Sequence, residues 1–294
     1  MTSIGGILLV FACVIVGYLM EKGKMGVLVQ PAELLIILGA AIGTVLTANP
    51  MHILKKIAAG LLGVFKGSPF QKKLYLNTLK MMFDLLAKSR KDGAIAIEED
   101  IENPAKSPIF SRYPAFLADH HAQGFVCDTM RMAITGGAGA FDLDQMMELD
   151  MDVHHIGQTQ SSVALSTVAD SLPGLGIVAA VLGVVVTMSA LGGPPEEIGH
   201  KVAAALVGTF LGILLCYGVV GPLGANLSKL IEDEHAFYHV LRVVMLSFIK
   251  GMSPSLAVEI GRRAIPEHVR PSFQIVEKAC RQKDGPAAAP AVAA

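Results

Sequence analysis

The sequence predicts an all-α membrane protein: four transmembrane helices, a helical cytoplasmic domain between spans two and three, and a cytoplasmic C-terminal helical region. Three observations carry that class. Of 294 residues, 52% are hydrophobic, and four runs long enough to cross a bilayer hold no charge. Basic residues crowd one side of those runs. The charged segments between them repeat apolar residues at helical spacing, and no alternating strand pattern stands out.

The uncharged runs are Met1 to Met20, Leu34 to Leu54, Leu172 to Leu191 and Val202 to Ser228. The first is not read as a cleavable signal, since it lacks a basic start and a small-residue cleavage site before Glu21. Between runs one and two the only basic residues are Lys22 and Lys24, and between three and four only Lys201. The other 21 of the 24 Lys and Arg fall from Lys55 to Gln160 or from Lys229 onward. The positive-inside tendency assigns those segments, and both chain ends, to the cytoplasm. The division is then 1–54 for spans one and two, 55–168 for a cytoplasmic domain, 169–228 for spans three and four, 229–284 for C-terminal helices and 285–294 for a disordered tail.

In the middle segment, Lys72 to Lys88 sets Leu76, Leu79, Phe83 and Leu86 near one helix face. Asp92-Gly93 reads as a turn, and EEDIENP as a solvated charged loop holding Glu98, Glu99 and Asp100 beyond Arg90 and Lys91. The alternative is a docking face on which opposite charges steer a partner. A helix is expected from Leu117 to Ile134, a break at GGAGA, and a long helix from Phe141 into span three. After span four EDEHAFYHVLRVVMLSFIKG continues as helix; Ser253 then caps a new one, with Pro254 at its first position.

Chemistry-bearing groups are few. Cys13, Cys127, Cys216 and Cys280 show neither pairing nor metal spacing. The pairs His120-His121 and His154-His155 are poor metal clamps, because helix neighbours point about 100° apart. No Ser-His-Asp set, P-loop or GxGxxG is present, so neither an enzyme nor a cofactor nor a metal site is expected. Asp170, at the edge of span three, reads as a solvated helix-end acid. Small residues recur four apart: Gly39 and Gly43, Gly176 and Ala180, Ala179 and Gly183, Gly208 and Gly212. They allow close helix contact, within one subunit or between subunits. Pro173 and Pro222 each remove a helix hydrogen bond, to the carbonyls of Ala169 and Gly218.

Five stretches resemble the A subunit of the bacterial flagellar motor stator, the MotA family. They are GVLVQPAELLIILGAAIG (26–43), LAKSRKDG with EEDIENP (86–104), DSLPGLGIVAAVLGVV (170–185), VGTFLGILLCYG with the following Pro222 (207–222), and AVEIGRR followed by RPSF (257–273). The resemblance implies a multi-pass protein of the bacterial inner membrane. It implies a homo-oligomeric ring, five A subunits around a dimer of a MotB-like B subunit that supplies the ion-carrying aspartate. Ion flow then drives torque on the rotor protein FliG. It carries rotor-facing charges onto Arg90 and Glu98, and ion-coupling prolines onto Pro173 and Pro222. Sodium-using relatives line the path with a threonine where this chain has Ala180, so the resemblance favours protons, with Thr209 and Thr187 near the path. The alternative is an ExbB/TolQ-like energy-transducing channel subunit, against which the EEDIENP segment and the Arg90/Glu98 arrangement argue. A self-sufficient transporter should show intramembrane charges or repeated broken helices.

Overall fold

The computed structural model describes residues 2–189 and 192–282. The ends of the predicted first and third spans (Met1, Ala190 and Leu191) and the tail 285–294 lie outside those residues. Among the described residues thirteen α-helices follow in order: α1 Thr2–Met20, α2 Met25–Leu28, α3 Pro31–Ala48, α4 Met51–Lys66, α5 Lys72–Asp92, α6 Glu98–Glu102, α7 Pro114–Leu117, α8 His120–Thr135, α9 Ala140–Met188, α10 Pro195–Leu215, α11 Gly221–Ile249, α12 Pro254–Ala264 and α13 Phe273–Arg281. No strand occurs among the described residues. Four helical stretches are long and apolar enough to cross a membrane: Ser3–Met20, Met25–Ala48, Ala140–Met188 and Pro195–Ile249.

The second of these departs from the uncharged run. Pro31 opens α3, where its missing N–H costs nothing, so the helix begins before Leu34 and takes in Glu33. It ends at Ala48, because Pro50 holds Asn49 in extended backbone (φ −128°, ψ 136°), and α4 starts afresh. Hydropathy alone runs straight across that break.

The chain divides into two compact units, Met1–Gly67 with Gly157–Ile231 and Ser68–Ile156 with Glu232–Ala294. In the first, Ile37 and Ala41 of α3 pack with Ala169, Leu172 and Ala179 of α9 and with Cys216. Val64 of α4 meets Leu165, Leu223 and Leu227. Lys56 donates from Nζ to the Gly157 carbonyl at 2.9 Å. Much of the apolar surface stays outward, including Leu8 and Val16 of α1 and Ile177, Val181 and Val185 of α9. That is the pattern of helices whose solvent is lipid or a neighbouring helix.

The second unit has an ordinary interior. Leu76, Leu79 and Leu86 are buried on α5 as the spacing predicts, with Phe83 half-buried against them. They meet Phe125 and Val126 of α8, Met147 and Met151 of α9, and Phe237, Leu241 and Val244 of α11. Asp119 caps α8 by accepting from Ala122 N at 3.0 Å, and Gly136 ends that helix at φ +72°, a left-handed position that suits glycine. Ser253 caps α12, accepting from Leu256 N, with Pro254 at the first position as expected.

Candidate functional site

Arg90 stands in the last turn of α5 and Glu98 opens α6. Both are exposed, and neither side chain has an ionic or hydrogen-bonding partner among the described residues. Gly93, at φ +94°, makes the turn between them. EEDIENP is not the solvated loop that its charge suggests. Asp100 is buried, accepts from Lys88 Nζ at 2.7 Å and from Ser107 Oγ at 2.6 Å, and Ile97 and Ile101 enter the core beside it. Ser107 Oγ in turn accepts from Ile109 N and Phe110 N. One buried carboxylate thus anchors a short helix whose outer acids, Glu98 and Glu99, remain free to meet something else. Asp100→Ala should destabilise this unit by about 1–3 kcal/mol, since Ser107 and the half-exposed Lys88 lose their acceptor. Thermal unfolding of the detergent-solubilised protein measures this; an unchanged transition would show that the anchor is unnecessary.

The seam between α9 and α10 is built from the small residues. A Cβ on Gly176 would stand 2.8 Å from the Gly208 carbonyl oxygen, and one on Gly212 would stand 2.6 Å from that of Leu172. Gly183 faces Ala205, and Gly208 lies against Ala179 and the backbone nitrogen of Ala180. Three of the four small-residue pairs are therefore spent on contact within the chain. Gly39 and Gly43 differ: a Cβ on either meets nothing within 4 Å.

Ala180 adjoins this seam through its backbone nitrogen beside Gly208, Thr209 follows Gly208 on α10, and both are half-buried. Thr187 lies farther along α9, buried, its hydroxyl donating to the Gly183 carbonyl at 2.8 Å. Pro173 lies inside α9 next to Leu172. Pro222 is exposed in a groove with Ser3, Gly6, Val10 and Tyr217, which Pro173 does not line. Before it, Cys216–Val220 form a π turn in which Gly221 N donates to the Cys216 carbonyl. The wider turn carries the helix past a proline that cannot donate. Asp170 is exposed as expected but lies in mid-helix, not at a helix end, because α9 runs unbroken through it.

Glu33 is the residue that hydropathy missed. It is only 7% exposed, and its Oε2 accepts no hydrogen bond among the described residues. A Cβ on Gly208 would stand 2.8 Å from that oxygen, and one on Gly183 would stand 3.4 Å from Oε1. The carboxyl therefore fills space that only glycines leave open, at the level of Ala180. The signal was in the sequence: Pro31 marks the helix start, which puts Glu33 in the first turn of the span.

The two histidine pairs are also brought together. His121 and His154 stack with ring centroids 3.7 Å apart, Tyr238 stands edge-on to both, and His154 meets Glu234 at 3.2 Å. Burial, then the neighbouring His154, pushes the His121 pKa down. No group of three metal-ligating side chains occurs among the described residues.

Residues 4–93 match the family described as motility protein A N-terminal, and residues 118–239 match the MotA/TolQ/ExbB proton channel family. The chain is 39% identical over 281 residues to motility protein A of Escherichia coli (strain K12), covering 96% of this chain and 95% of that protein. It is 33% identical over 280 residues to chemotaxis protein LafT of Vibrio parahaemolyticus, covering 95% and 98%. Among solved structures, C. jejuni MotAB matches with TM-score 0.75 at 20% identity over 92% of this chain and 98% of that one. The flagellar MotAB stator complex from Bacillus subtilis matches with TM-score 0.70 at 25% identity, over 88% and 93%.

Proposed function

The chain belongs to the motility protein A family within the MotA/TolQ/ExbB proton channels, and from that premise we propose how it works as the A subunit of a flagellar stator. It joins a MotB-like B subunit in the bacterial inner membrane, both of its termini on the cytoplasmic side. A ring of five copies around a B dimer fits the outward apolar faces of α1 and α9. Protons cross beside the α9–α10 seam, past Ala180 and Thr209, with Thr187 nearby. Pro173 and Pro222 let these helices bend as the partner's carboxylate gains and loses its proton. Segment 55–168 is the rotor-interacting domain, where Arg90 and Glu98 face FliG.

The observation that carries this reading is the α9–α10 seam itself. It is a backbone-to-backbone wall of small residues, with the Thr187 hydroxyl farther along α9, suited to sit against a neighbouring helix that carries the ion. Arg90 and Glu98 suit their role because each is exposed and internally unpartnered on an anchored platform.

Alanine at position 180 offers no oxygen for a sodium ion. Cells depending on this chain and its B subunit should swim equally well in sodium-free medium and stop when a protonophore collapses the proton gradient. Swimming that fails without sodium, with the proton gradient intact, would overturn the proton assignment.

A further inference from the structure

We propose that Glu33 is a second proton-carrying group of the channel, an outer relay that passes protons toward the B subunit's carboxylate at the level of Ala180. The inference rests on the channel reading above and adds a titratable residue of this chain to it.

The geometry points there from three directions. Glu33 lies within a candidate span, and ionisable groups at such depth are costly enough to be functional by default. Its Oε2 is buried without a hydrogen bond or counter-charge among the described residues, so it does not act as a structural salt bridge. Its placement is also specific. The carboxyl stands against Gly208 and Gly183, where any larger side chain would displace it, and Ala180 N adjoins the same Gly208. Gly183 is five residues from the end of α9, or about 8 Å of helix, so the group lies toward the short loop that faces outward in this topology. Asp170 lies ten residues beyond Ala180 in the opposite direction.

The step is a proton exchange. The Glu33 carboxylate accepts a proton from hydronium at the outer side, which leaves as neutral water, and becomes a neutral acid. It then gives that proton to the partner's carboxylate and returns to its charged form. A buried oxygen without a fixed partner suits this exchange, because no bond inside the chain has to break when the proton moves.

The test uses the intact complex of this chain with its B subunit, reconstituted in liposomes, with Glu33→Gln and Glu33→Asp beside the unaltered protein. Glutamine keeps the shape and hydrogen-bonding capacity but cannot carry a proton. Glu33→Gln should lower proton flux at least about tenfold while the complex purifies in normal yield, and Glu33→Asp should retain more flux than Gln. Flux in the Gln variant equal to that of the unaltered complex would overturn the proposal. A second measurement does not depend on assembly of a variant. Infrared difference spectra of the unaltered complex across an external pH titration should show a carboxyl band that isotope labelling assigns to glutamate; its absence would overturn the relay. Failure of the unaltered complex to conduct at all would instead count against the channel reading, which separates the two outcomes.

Discussion

Replacing Gly212 with valine is expected to part α10 from α9 and leave cells that depend on this chain non-motile. A Cβ at that position would stand 2.6 Å from the Leu172 carbonyl oxygen and 2.9 Å from the Gly176 Cα. Both are backbone atoms, so no side-chain rotation can make room, and valine adds two methyl groups beyond the Cβ. Overpacking of this kind costs about 1–3 kcal/mol and sometimes more. Lipid supplies no hydrophobic drive to hold the displaced helices together, so the loss falls directly on the contact. Gly39→Ala is the control, since its Cβ meets nothing within 4 Å and the change should be tolerated in a single chain. Yield of the stator complex in detergent, its melting temperature and swimming on soft agar measure the contrast. A Gly212→Val complex as stable as the unaltered one would show that the seam opens at little cost.

The seam also marks how far the sequence could be read. Helices whose periodicity and caps agree were legible nearly to the residue: Leu76, Leu79 and Leu86 face inward on α5, and Ser253-Pro254 opens α12. The small residues four apart were visible too, but spacing cannot say what they touch. Only the folded chain shows Gly176 and Gly212 turned to each other while Gly39 faces open space. Hydropathy failed in two places for a plain reason: it averages over composition and ignores backbone constraints. It ran span two through Pro50, and it excluded Glu33 from a helix that Pro31 had already begun. Charge density misled similarly at EEDIENP, where one acid of the run, Asp100, turns inward to Lys88 and Ser107. Nothing in the spacing of His121 and His154, thirty-three positions apart, could have announced that their rings stack. Of the residues carried over by resemblance, Ala180 stands beside Gly208 at the seam, whereas Pro222 lies in a groove that Pro173 does not line.

The chain alone is expected to conduct no protons, and adding its B subunit should restore conduction. Along α9, the residues from Ser171 to Met188 contain no ionisable side chain, and from Asp170 to Ala180 they span about 15 Å of helix. Thr187, the buried hydroxyl farther along, already donates to the Gly183 carbonyl. Glu33 serves only the level of Ala180 and beyond, so a proton that reaches it has no next carrier within this chain's seam. Transfer through a dry bilayer needs an ionisable group or a water-lined path across that gap. An aspartate on a B-subunit span, facing Pro173, Ala180 and Thr209, would supply it. The driving force is adequate: a proton crossing about 150 mV releases roughly 3.5 kcal/mol. That shifts a two-state equilibrium several-hundredfold, roughly enough for one mechanical step. Liposomes loaded with a pH-sensitive dye should therefore stay silent with this chain, respond with the complex, and fall silent again when the partner's aspartate becomes asparagine, although the complex remains intact. Proton flux through liposomes that hold this chain alone would mean that the chain carries a complete path of its own, and the division of labour between the two subunits would have to be abandoned.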